Sequence, residues 1–295
     1  MNSRKILIAL SILVLALAAF YLGQRTTAPG KRPAGKKAVA GARAARRKSA
    51  ALPAPAEPRR HARAAIVIDD FGYNTNNLKA LYDIKEPLTF SILPNLPHSR
   101  DVARSAKEHG YEAILHLPME SVRNDVREEP GTIKPGEDRK QVIAQLVKDI
   151  ESVPGLTGVS NHMGSKATED KTLMTDIFSY LKKRNLYFFD SLTSEKSICR
   201  EAAADVGLRF ARRDVFLDNS SGVEQIEKEL ADFEKLALKR GYAIAICHDR
   251  KNTVLALAKS IPRMAKDGIE FVYLSEMTNP PAALGIGPER NRGGQ

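Results

Sequence analysis

Tryptophan is absent from the 295-residue chain, and cysteine occurs only twice, as Cys199 and Cys247. Two thiols cannot build a disulfide-dense scaffold or a four-cysteine zinc module. Also missing are a GxSxG elbow, a phosphate-binding loop and a GxGxxG fingerprint. Their absence counts against a simple serine-hydrolase elbow, an NTPase and a dinucleotide site. No internal repeat is apparent. Acidic side chains are scarce only near the start, where residues 24–63 carry twelve basic side chains and a single acid, Glu57. The chain as a whole has a net charge of +11, but residues 64–295 hold 32 basic and 34 acidic side chains, a net of −2. The positive excess therefore lies outside the expected folded region, and nucleic acid is not expected as a partner. With 43% hydrophobic residues, the chain is too apolar to be wholly disordered.

Arg4 and Lys5 precede an uncharged run from Ile6 to Leu22. As helix, a run of this length spans about 25 Å, against about 30 Å for a bilayer core. It is long for the core of a cleaved signal peptide, and it continues through Phe20, Tyr21 and Leu22. The expectation is a signal-anchor over residues 1–23, placing the protein in a bacterial inner membrane as a single-pass chain with its domain in the periplasm. Residues 24–63 are rich in Ala, Pro, Gly, Lys and Arg and lack the large apolar side chains that would offset ordering entropy. They read as a disordered linker, and residues 279–295 as a flexible tail.

Residues 64–278 alternate between strand-like and helix-like segments. Apolar runs at 64–68, 88–93, 111–117, 157–160, 186–189, 208–211, 242–247 and 270–274 read as strands. Segments 99–109, 137–152, 168–184, 222–240 and 251–267 have helix length. Val142, Leu146 and Ile150 recur at helical spacing, as do Val223, Ile226, Leu230 and Phe233. Near-continuous apolar strands alternating with amphipathic helices predict a parallel sheet covered by helices, and seven or eight such units predict a closed or nearly closed barrel.

Polar residues gather where these strands end: Asp69 and Asp70, Pro94 and Asn95, His116, Asn161 and His162, Asp190, Asp214, and His248. That is the face on which α/β barrels build active sites. Adjacent side chains on an extended segment point to opposite sides, so Asp69 and Asp70 act together only if the chain turns there; Gly72 in DDFGY permits a turn. One carboxylate would then bind a metal while the other takes a proton, although helix capping also accounts for an Asp pair at such a junction. His116 stands in LHLPME and His162 in SNHMGS. With Asp70 they form the two-nitrogen, one-oxygen set that catalytic zinc sites use. His248, after YAIAIC, could protonate a leaving amine, with Asp249 or Asp190 to orient it; a structural histidine beside a capping Asp249 is the alternative. His61, His98 and His109 read as incidental.

The segments AIVIDDFG, LTFSILPN, EAILHLPME, SNHMGS, FFDS and AIAICHD resemble the divergent polysaccharide deacetylase family, a remote branch of the carbohydrate esterases, over residues 64–278. The resemblance implies a distorted (β/α)7 TIM-like barrel of the NodB-like type and a divalent metal, usually zinc. It implies Asp69 as base, Asp70 as metal ligand and His248 as acid. Ordinary deacetylases carry two histidine ligands one helical turn apart, whereas here Glu120 stands four residues after His116. His162 is expected to complete the site instead, with Glu120, Asn161 and Asp249 near the metal or substrate. The implied activity is metal-dependent hydrolysis of N-acetyl or O-acetyl groups on an envelope, peptidoglycan-like glycan. The alternative is a catalytically inactive, membrane-anchored glycan-binding or assembly factor.

Overall fold

In the computed structural model, residues 61–278 are described, apart from 124 and 126. The segments 1–23, 24–60 and 279–295 lie outside the described residues, while Ala62 and Arg63, expected to be linker, already belong to the first strand. The expectation of a single-pass inner-membrane protein is corrected here. Among the described residues no helix is long and apolar enough to cross a membrane, and the run from Ile6 to Leu22 that carried the expectation lies outside them.

In chain order the elements are β1 (Ala62–Phe71), α1 (Leu78–Tyr82), β2 (Thr89–Ile92), α2 (Ser99–Glu108), β3 (Glu112–Met119), α3 (Arg139–Ser152), β4 (Gly158–Met163), α4 (Lys171–Lys183), β5 (Tyr187–Asp190) and α5 (Cys199–Val206). There follow β6 (Phe210–Arg212), β7 (Val215–Phe216), α6 (Val223–Arg240), β8 (Tyr242–His248), α7 (Lys251–Lys266) and β9 (Ile269–Phe271). Local chemistry sets several boundaries. The Asp138 carboxylate accepts from Lys140 N at the start of α3, and that of Asp170 from Leu173 N at the start of α4. Gly207 and Gly241 close α5 and α6 with φ of 71° and 85°, where a side chain would be strained. The short helices α1 and α5 were not anticipated. Five and eight residues give too few turns for a periodic signal.

The strands lie in the order β6-β5-β4-β3-β2-β1-β8-β7, with β9 added against the start of β1, and every pairing is parallel. The sheet is curled, its two ends joined by one short segment that bends at Asp214. Residues 210–212 ladder with β5, and 215–216 ladder with β8. Between them, Arg213 N donates to Asp190 O and Asp214 N to Ile244 O. Counted this way, β6 and β7 are halves of one strand, and the architecture is the distorted (β/α)7 barrel expected, with β9 as an addition. The expected single strand at 208–211 is thus displaced and divided.

Strand alternation sorts the side chains. Ala64, Ile66 and Ile68 of β1 pack in the cluster under the helices, whereas Ala65 and Val67 join Ile114, Tyr187, Phe189, Ala211, Ile244 and Ile246 inside the barrel. A 3₁₀ turn, Leu274–Met277, adds Leu274 and Met277 to this interior cluster. It is tied to the barrel through Glu112, whose carboxylate accepts from Thr89, Thr157 and Ser275 N. Continuing the inward parity toward the strand ends gives Asp69 on β1, Ser91 on β2, His116 on β3, Ser160 and His162 on β4, and His248 on β8. Beyond its apolar middle, the barrel interior therefore becomes polar again at these strand ends.

Gly158 of β4 lies in register with Tyr187 of β5. A Cβ added there would stand 2.4 Å from the fully buried Tyr187 ring. Gly158→Ala should destabilise the barrel by about 1–3 kcal/mol, the range for overpacking a close-packed interior, read as a lower denaturant midpoint at unchanged slope. An unaltered midpoint would show that the interior can yield at this point.

Candidate active site

The polar end of the barrel opens into a cavity of about 470 Å³, whose walls include Asp69, Asp70, His116, Asn161, His162 and His248. Asp70 faces this cavity because its backbone leaves the strand pattern. Its φ is 68°, and the β1–β2 register shifts between Ile68 and Phe71. This bulge turns the second carboxylate to the same side as the first. The left-handed conformation costs a non-glycine residue on the order of 1–3 kcal/mol. Met163 (φ 54°) and Leu192 (φ 51°), also on the cavity wall, share it.

Asp70, His116 and His162 each offer a ligand atom, all within 4.8 Å of one another. His116 Nε2 lies 3.4 Å and His162 Nδ1 3.2 Å from Asp70 Oδ1. That oxygen is buried and has no hydrogen-bond partner. Burial alone would raise the Asp70 pKa, but the two imidazoles outweigh it and hold the carboxyl well below the usual carboxylate range. An orphaned acceptor between two ring nitrogens is a donor set that suits a divalent cation.

Asp69 is the deeper of the two carboxylates, 2% exposed. Its pKa is raised, first by burial and further by the charge of Asp70, against the lowering influence of His116 and His248. His248 closes the other side, with Nε2 3.8 Å from Asp70 Oδ2. Its Nδ1 pairs at 2.9 Å with Asp218 Oδ1. Asp218 is fully buried, and its other oxygen accepts from His248 N and Thr253 Oγ1. Burial would lower the His248 pKa, but the hydrogen bond to Asp218 and the charges of Asp70, Asp218 and Asp69 reverse this and raise it.

The residue that orients His248 is thus Asp218, in place of Asp190 or Asp249. Asp190 is spent on Leu192 N and Ser197 Oγ, shaping the loop after β5, and does not line the cavity. Asp249 accepts from Asn77 Nδ2 and also lies off the cavity wall. Glu120 pairs with Lys166 at 2.9 Å and stands outside both the cavity wall and the three-residue donor cluster. Asn161 does line the cavity, but as a brace: Nδ2 donates to Met163 O and Oδ1 accepts from Ser191 N. Arg213, unremarked in the sequence, faces the cavity and donates to Ser191 O and Leu192 O, pinning the same loop. A signal for Asp218 did exist, since VFLD ends an apolar stretch in an acid as β1 does. Without the split strand, its neighbour Asp214 looked equally placed; in the structure Asp214 pairs with Arg240 and Ile244 N.

A family model for divergent polysaccharide deacetylases matches residues 66–278. The chain is 32% identical over 242 residues to the uncharacterized protein YibQ of Escherichia coli, covering 82% of this chain and 75% of that one. It is 33% identical over 221 residues to an uncharacterized protein of Haemophilus influenzae, covering 74% and 79%. Among solved structures, an uncharacterized protein from Agrobacterium tumefaciens C58 superposes with a TM-score of 0.69 at 25% identity, over 74% of this chain and 89% of that one.

A raised histidine pKa contributes stability that is fully present below the unfolded-state pKa and lost as pH rises through the folded one. Asp218→Asn should therefore lower the His248 pKa in an NMR titration of chelator-treated protein. It should cost about 1.5–3 kcal/mol of stability where His248 is protonated, the worth of a hydrogen bond to a charged group, and less once His248 is neutral. A His248 titration that does not move would disprove the coupling.

Proposed function

The chain belongs to the divergent polysaccharide deacetylase family, and on that premise we propose that it is a metal-dependent deacetylase that hydrolyses the acetamide of an N-acetylated sugar in a glycan. The observation that carries this reading is the convergence of Asp70, His116 and His162 around an unsatisfied buried oxygen, with Asp69 and His248 on either side. The divalent ion would be held by these three side chains, and two nitrogens with one oxygen favour zinc. When bound, such an ion polarises an acyl carbonyl and acidifies water.

The remaining chemistry belongs to the protein. Asp69 takes a proton from the attacking water as its oxygen forms a bond to the carbonyl carbon. Burial raises the pKa of Asp69 and so makes it a better base than an exposed aspartate. His248, kept protonated to higher pH by Asp218, gives its proton to the departing amine as the C–N bond breaks. Two groups with pKa values moved by different surroundings thus divide base and acid roles between them. Asn161 and Arg213 keep the β4 and β5 loops at their places on the wall.

Elemental analysis and acetate release from acetylated chito-oligosaccharides test this reading together. His162→Ala should lose the stoichiometric metal, while Glu120→Ala should keep it. Asp69→Ala should retain metal and lose about 10²–10⁴-fold in rate, the usual worth of a positioned base. Metal lost from Glu120→Ala but kept by His162→Ala would overturn the ligand assignment. A fully metallated wild type that releases no acetate from any acetylated glycan would overturn the catalytic one.

A further inference from the structure

Two hydroxyls inside the barrel, Ser91 and Ser160, are fully buried, and the chemistry above makes no use of them. The β3–β4 register sets His116 beside Ser160, and strand parity turns both side chains inward. Ser160 Oγ lies 2.8 Å from His116 Nδ1 and 2.8 Å from Ser91 Oγ. The rival acceptor for Nδ1, Asp69 Oδ1, is 3.7 Å away, too far for a hydrogen bond.

From this geometry, and resting on the metal reading of the site, we propose that Ser160 is a positioning residue that fixes the tautomer of His116. Nδ1 carries the ring hydrogen and donates it to Ser160 Oγ, so the lone pair stays on Nε2, the nitrogen that faces Asp70. A neutral imidazole has one N–H and one lone pair, and a metal can use only the lone pair. If the hydrogen sat on Nε2, it would point at the cleft and a ligand would be lost. With its oxygen occupied as acceptor, Ser160 passes its own hydrogen onward. Ser91 Oγ at 2.8 Å is a better acceptor than Leu115 O at 3.4 Å. The donors therefore run in one direction, from His116 to Ser160 and from Ser160 to Ser91.

The test uses the full chain, stripped of metal, with zinc as the probe. Nitrogen-15 spectra of the imidazoles, taken where His116 is neutral, should show His116 in the wild type with hydrogen on Nδ1. Ser160→Ala should lose that preference and bind zinc about 10–100-fold more weakly, the range for removing the partner of a metal-ligating histidine. Ser160→Thr, which keeps the hydroxyl, should restore both. A cavity effect alone would weaken folding without moving the tautomer. A wild-type spectrum with hydrogen on Nε2 would overturn the proposal, and this reading requires no variant to fold. Zinc affinity unchanged in Ser160→Ala would also overturn it while leaving the metal site intact. If the wild type takes up no zinc, the metal reading falls, and the tautomer in the metal-free protein still decides the role of Ser160.

Discussion

Everything at the polar end of this barrel depends on bringing two adjacent carboxylates to one side of a strand. Alternation forbids it in regular β structure, since Asp69 faces inward and the next residue should face the helices. The left-handed backbone at Asp70 and the register shift around it lift that prohibition. The two acids then share one cavity with three imidazoles. Like charges so close are tolerated only because their surroundings separate them. Burial raises the Asp69 pKa, while His116 and His162 hold that of Asp70 down. One acid is thereby fitted to take a proton and the other to remain an anion.

The closure of the sheet is the second organising fact, and it also serves the site. A single short segment changes partners from β5 to β8, and Arg213 and Asp214 stand where it crosses. Arg213 turns into the cavity and holds the loop after β5 through two backbone carbonyls. A few residues later the same segment delivers Asp218 beneath His248. The division of the strand and the support of His248 thus come from one stretch of chain.

The backbone conformations around the cavity fit this picture. Asp70, Met163 and Leu192 all adopt positive φ without being glycine. Such conformations persist where neighbouring bonds over-determine them. Here Met163 O accepts from Asn161 and Thr193, and Leu192 O accepts from Arg213. The site is held by side chains reaching across between strand ends, as Asn161 does on the cavity wall through Met163 O and Ser191 N.

The sequence by itself determined the barrel. Alternating apolar strands and amphipathic helices over residues 64–278 leave few other ways to bury both faces of the strands. It also determined which strand ends are polar, and hence that Asp69, Asp70, His116, His162 and His248 share one face. These are local properties, carried by periodicity and by residue type. What only the tertiary structure decided was which of many strand-end acids meets which histidine. Asp190, Asp214, Asp218 and Asp249 look alike along the chain, but only Asp218 comes up beneath His248; the rest are drawn to Ser197, Arg240 and Asn77. Glu120, though four residues from His116, is drawn away to Lys166, whereas His162 comes in from the neighbouring strand. Pairing of this kind depends on register between strands and on a strand that divides its partners, and neither leaves a periodic mark in sequence. The same holds for Ser160, whose relation to His116 exists only because β3 and β4 align them.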